Sequence, residues 1–115
     1  MKLIIIPTLN EKKNIKKLFF QIRKLKLKSD ILFIDDNSTD GTREEIINFS
    51  KKFNNVKYIF RPKKLGIGSA HKDGLIYGYK KKYNKIITMD ADGTHDPKYI
   101  KEIINLSEKF DLINT

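Results

Sequence analysis

The chain has 115 residues, 39% hydrophobic and 10% aromatic, which suits one small domain with a core of its own and leaves no room for two. It has no cysteine, which excludes disulfides, thiolate zinc sites and cysteine nucleophiles and leaves any metal to oxygen or histidine ligands. The formal charge of +10 raises polyanions and anionic membrane surfaces as partners.

Against a polyanion, Lys12, Lys13, Lys16 and Lys17 interleave with apolar residues at helical spacing, and no aromatic and basic stacking platform accompanies them. A solvated lysine face is the simpler reading, and nucleic acid is not expected. The apolar run that opens the chain stops at Pro7, too short for a signal-peptide core or a membrane span. It reads as a buried strand over residues 2–6.

Asn10 and Glu11 precede a helix whose Ile15, Leu18, Phe19, Ile22 and Leu25 share one face. Residues 30–34 form a second strand, 35–41 a polar turn, and Ile46, Phe49 and Phe53 mark a second helix. A third strand over 56–60 is closed by Arg61-Pro62. Gly66-Ile67-Gly68 opens a helix over about 69–82 in which Ala70, Gly74 and Gly78 predict close packing on a sheet. Residues 85–89 give a fourth strand, Asp96-Pro97 starts a last helix with an acid cap and a first-turn proline, and 111–115 begin a fifth strand. Strands alternating with amphipathic helices predict an α/β fold: a mainly parallel sheet with helices on both faces.

In such a sheet every strand delivers its following loop to one rim, where ligands bind. Glu11, Asp35, Asp36, Asp40, Asp90, Asp92 and Asp96 all follow strands and converge there, half of the fourteen acidic residues. Gathered like charges require solvent, a cation or a hydrogen-bonding ligand. Asp90-Ala91-Asp92 puts two carboxylates at alternate positions beyond a strand, with the small Ala91 leaving backbone accessible, and hard oxygen ligands suit Mg²⁺ or Mn²⁺. An isolated D-x-D is commonplace, because Asp forms turns and caps. Asp96 reads as an N-cap, His95 as a loop residue, Gly41 as a turn residue, and His71 as a helical residue with no chemistry. Asp35 and Asp36 have only the rim to occupy.

Four blocks stand in order: Pro7-Thr8-Leu9-Asn10-Glu11; Ile34-Asp35-Asp36-Asn37-Ser38-Thr39-Asp40-Gly41-Thr42; Leu65-Gly66-Ile67-Gly68-Ser69-Ala70; and Met89-Asp90-Ala91-Asp92-Gly93-Thr94-His95-Asp96-Pro97. Together they resemble family-2 glycosyltransferases, most like the polyprenol (dolichol) phosphate mannosyltransferase-like branch, over essentially the whole chain. The resemblance implies a GT-A fold with a Rossmann-like nucleotide-binding half. It implies a nucleotide-diphosphate sugar donor, GDP- or UDP-linked, with Pro7, Leu9 and Glu11 bordering the base and Ile34 and Asp36 holding base or ribose. Asp90 and Asp92 would bind Mg²⁺ or Mn²⁺ at the donor diphosphate, Ala91 would add a backbone contact, and Asp92 would be the catalytic carboxylate. A polyprenol phosphate acceptor is implied too, whose phosphate oxygen is already a nucleophile. With it come a cytoplasmic location, peripheral at the membrane face, and contact with anionic lipid.

Leu9 stands where this branch often has an aromatic residue, and Thr94 where some members have a longer amide. Gly66-Ile67-Gly68 is not a dinucleotide fingerprint, because His71 occupies the third glycine position. The acceptor-side residues of the family follow the point where this sequence ends. The expectation is a donor-binding domain over 1–115, C-terminally incomplete; the alternatives are a non-catalytic nucleotide-binding fragment and half of a split enzyme. Asp90-Ala91-Asp92-Gly93-Thr94 also resembles the signature of haloacid-dehalogenase-like phosphatases, but that motif belongs on a first strand and here follows the fourth.

Overall fold

The apolar opening run forms the central strand, β1 (Lys2–Thr8), buried from Leu3 onward. A computed structural model describes residues 1–26, 28–91 and 112–114; Asp92, Thr94, His95 and the helix expected from Asp96 lie outside them. After β1 come α1 (Lys12–Lys24), β2 (Ser29–Asp35), α2 (Thr42–Lys52), β3 (Val56–Phe60), α3 (Ile67–Lys80), β4 (Lys85–Thr88) and β5 (Leu112–Asn114). The sheet order is β3-β2-β1-β4-β5 and every pairing is parallel. The chain steps outward from β1 to β3, then crosses back to lay β4 on the other side of β1, so the topological switch point falls between β1 and β4.

Side chains alternate across the sheet, which sorts the core into two layers. Ile4, Ile6, Ile31 and Phe33 meet Ile15, Leu18, Phe19 and Ile22 of α1 and Ile46 and Phe49 of α2. Phe19 anchors this layer, stacked on Phe49 at 4.2 Å between ring centroids. Leu25 and Phe53, expected on the helical stripes, pack on its edge. Leu3, Ile5, Leu32 and Ile34 meet α3 on the opposite face. A Cβ on Gly74 would lie 2.6 Å from Cγ2 of Ile5, and one on Gly78 2.6 Å from Cδ1 of Ile86. The two glycines therefore set how closely α3 lies on the sheet, as their spacing predicts.

β1 runs past the expected stop at Pro7. Consecutive strand residues direct their backbone groups alternately to the two neighbouring strands. The Ile5 carbonyl accepts the Met89 N–H (3.0 Å), toward β4, whereas the Thr8 carbonyl accepts the Asp36 N–H (2.9 Å), toward β2. Pro7 shares the side of Ile5, and β4 pairs with β1 only as far as Thr88 opposite Ile5. The donor that proline lacks is thus missing where the β4 ladder has ended, which explains a proline inside a central strand. Pro7 has no N–H to extend the ladder on that side, and the pairing of β1 with β4 ends at Thr88, before the rim. α3 begins at Ile67, two residues earlier than expected, after Gly66 at φ 100°, a backbone value that glycine adopts without steric cost.

Candidate functional site

Where β1 and β4 part there is a cleft lined by Pro7, Thr8, Leu9, Glu11, Asp36, Ile67, Ala70, Asp90 and Ala91. It brings together Pro7, Leu9, Glu11, Asp36, Asp90 and Ala91 of the site expected from sequence. Ile34 is placed differently: its side chain is fully buried under α3, with Cδ1 2.9 Å from where a Cβ on Gly74 would be. Asp92 lies outside the described residues. Glu11 begins α1, its backbone N–H donating to Oγ1 of Thr42 (2.9 Å).

The adjacent acids at the end of β2 have different fates. Asp35 does not occupy the rim. Strand alternation turns it to the α1 and α2 face, where it is fully buried and accepts hydrogen bonds from Thr8 Oγ1 (2.7 Å), Ser38 Oγ (2.6 Å), the Ser38 N–H (2.8 Å) and Arg43 Nε (2.7 Å). Burial pushes its pKa up, but the donors from Ser38, Thr8 and Arg43 together outweigh it and hold the carboxyl below the ordinary carboxylate value. Asp36 turns to the α3 face, where its two oxygens accept the N–H groups of Leu65 and Gly66 (2.9 Å each). Oδ2 keeps a lone pair for a further donor, while Oδ1 also faces Nε of Arg61. Asp40 accepts the N–H groups of Lys12 (3.1 Å) and Thr42 (3.0 Å), tying the first turns of α1 and α2 together.

These three carboxylates are therefore compensated by protein donors, and repulsion among them does not call for a cation. Among the described residues the case for one rests on Asp90, whose side chain is 42% exposed. Among the described residues no three carboxylate or imidazole groups are placed to hold a metal by themselves. Mg²⁺ and Mn²⁺ fit such a place nonetheless, since they bind through one or two carboxylates and leave the rest of their shell to water and substrate phosphates.

Two residues given no role from sequence belong to this region. Arg61 is 3% exposed, with Nε 3.5 Å from Oδ1 of Asp36 and 3.8 Å from Oδ2 of Asp73, and its Nη2 donates to Oγ of Ser69. Its place at the end of the strand beside the acid pair was the available cue. His71 on α3 brings Nε2 to 4.0 Å from Oδ1 of Asp90; only the docking of α3 reveals it.

A sequence profile described as Glycosyl transferase family 2 matches residues 3–113. The chain belongs to glycosyl transferase family 2. Its relatives include the undecaprenyl-phosphate mannosyltransferase of Micrococcus luteus, 32% identical over 96% of this chain and 46% of that protein, and the polyprenol monophosphomannose synthase of Mycolicibacterium smegmatis, 31% identical over 90% of this chain and 39% of that one. This family-2 chain thus spans less than half the length of either. Among solved structures, S. aureus TarS in complex with UDP matches with a TM-score of 0.74 at 20% identity, over 94% of this chain and 32% of that one. A mannosyltransferase from Pyrobaculum calidifontis in complex with GDP-Man and Mn²⁺ matches with 0.65 at 19% identity, over 79% and 27%. The fold is GT-A, as the resemblance implies.

Proposed function

We propose that this chain binds a nucleotide-diphosphate sugar in the β1–β4 cleft and transfers its sugar to a polyprenol phosphate. The convergence of Pro7, Leu9, Glu11, Asp36, Asp90 and Ala91 on one cleft at the switch point carries this reading. Pro7 and Leu9 offer an apolar wall to the base, and Oδ2 of Asp36 has a lone pair for a ribose or base donor, with Ile34 supporting it from the core. Asp90, with Asp92 after it, would hold Mg²⁺ or Mn²⁺ at the diphosphate. Such an ion neutralises charge developing on the departing nucleoside diphosphate. The acceptor phosphate oxygen forms the new bond to the anomeric carbon as the bond to the diphosphate breaks; being anionic already, it needs no strong base. The UDP and the GDP-Man with Mn²⁺ in the two structural neighbours support the donor and metal, and the names of the two relatives support the acceptor.

The outer face of α1 supports a place at the cytoplasmic face of an anionic membrane. Lys13, Lys16, Lys17 and Lys24 surround Phe20, which is 40% exposed. No helix among the described residues is long and apolar enough to cross a membrane.

Calorimetric titration with UDP, GDP and GDP-mannose, in Mn²⁺ and in chelator, tests donor binding, and transfer to polyprenol phosphate tests the activity. Binding strengthened by metal is the expected result. Donor binding without transfer would favour the non-catalytic fragment or split-enzyme alternatives. Phosphomonoester hydrolysis lost in Asp90→Asn would overturn the transferase reading.

A further inference from the structure

We propose that His71 is a positioning residue for the cation site, orienting the Asp90 carboxylate toward the ion; this rests on the donor-site reading above. Asp90 stands two residues beyond Thr88, the last residue of β4 paired with β1, so the sheet itself does not fix its side chain. His71 follows Ala70, which is buried against the sheet and lines the cleft, and this seats the imidazole at the cleft's edge. The ring is 24% exposed, its Nδ1 is buried without a hydrogen-bond partner among the described residues, and its Nε2 faces Oδ1 of Asp90 at 4.0 Å. Of the two ring nitrogens, Nε2 is the one that faces the carboxylate, so an N–H there is aimed at Oδ1 of Asp90. The separation exceeds a direct hydrogen bond and suits a bridging water or a small swing of the Asp90 side chain. Ligating carboxylates are commonly held by such outer partners, whose loss weakens metal binding about 10–100-fold. The other carboxylate on this part of α3, Asp73, lies toward Arg61 and does not compete for the imidazole.

The test compares the full chain with His71→Ala and His71→Gln, the glutamine amide nitrogen standing near the position of Nε2. Mn²⁺ affinity is read from the paramagnetic resonance of free Mn²⁺, and GDP and UDP affinity by calorimetry with and without metal. His71→Ala is expected to lose about 10–100-fold in Mn²⁺ affinity, with metal-free nucleotide binding unchanged and glutamine restoring most of the loss. Wild-type Mn²⁺ affinity in the alanine variant, an equal loss with and without metal, or a loss that glutamine does not repair would overturn the assignment. Asp90→Asn separates the two readings. If it abolishes Mn²⁺ binding while His71→Ala leaves it intact, only the role of His71 falls; if the wild type binds no Mn²⁺, the metal part of the donor-site reading falls with it.

Discussion

Nε of Arg61 lies 3.5 Å from Oδ1 of Asp36, and the two side chains are 3% and 6% exposed. Asp36 therefore supports the wall of the cleft as well as facing it, because the same carboxylate fixes Leu65 and Gly66 at the start of α3. Asp36→Ala would leave the Arg61 charge buried, with the partly exposed Asp73 its one remaining carboxylate neighbour among the described residues. Removing one partner of a buried pair costs about 3–5 kcal/mol. Urea melts are expected to show a loss of that order, and calorimetry a weaker nucleotide affinity in Mn²⁺ and in chelator alike.

Asp90→Asn and Asp92→Ala are expected to remove the metal-dependent part of nucleotide binding and to leave the melting temperature nearly unchanged. For Asp90 the partly exposed side chain is the reason: in the proposed site it serves the cation, and it adds little to the core. Equal nucleotide affinity of the Asp90→Asn variant and the wild type in Mn²⁺ would remove Asp90 from the metal site.

Two glycines of α3 make opposite predictions. Gly74→Ala gains helix propensity but drives its Cβ into Ile5 and Ile34 at 2.6 and 2.9 Å, and overpacking of that kind costs about 1–3 kcal/mol. Gly68→Ala meets nothing within 4 Å and should stabilise by up to about 1 kcal/mol. Thermal melts of the two variants should move in opposite directions.

Asp35 gives the fold a dependence on acid. Its carboxyl is held below the ordinary value in the native state, burial opposing ionisation and the donors from Ser38, Thr8 and Arg43 prevailing. Its stabilisation is fully present above the unfolded value of about 3.9 and is lost as pH falls from there through the lower native value. Urea denaturation between about pH 5 and 2 should show stability falling with acid more steeply in the wild type than in Asp35→Asn.

The lysines around Phe20 predict sedimentation of the protein with vesicles containing phosphatidylglycerol and not with neutral ones. Lys16→Glu with Lys17→Glu should abolish it, at about 1 kcal/mol per lysine removed near the surface, and added salt should weaken it. Equal partition to neutral vesicles would reject an electrostatic contact.

The five strands and the first three helices were legible because Ile, Leu, Val and Phe recur with periods that the sheet and helices impose. The close approach of α3 was legible in Ala70, Gly74 and Gly78. The fates of Asp35 and Asp36 were written in the same alternation, since Asp35 continues the face of Ile31 and Phe33 and Asp36 that of Leu32 and Ile34; reading both as rim acids overlooked it. Pro7 reads locally as a strand end, but a missing donor matters only where a partner is present to accept, which is a property of the neighbouring strand. Arg61 and His71 acquire their neighbours from the docking of α3, a long-range event that no local pattern announces.

The missing amide hydrogen of Pro7 has a thermodynamic consequence. A crevice between two hydrogen-bonded strands would have to be unzipped before anything entered it, and that work would be subtracted from every affinity. Here Pro7 has no N–H to donate across the seam, so that bond never has to break. The opening is preorganised by the covalent structure of one residue, and a ligand entering it keeps binding energy that a closed seam would have consumed.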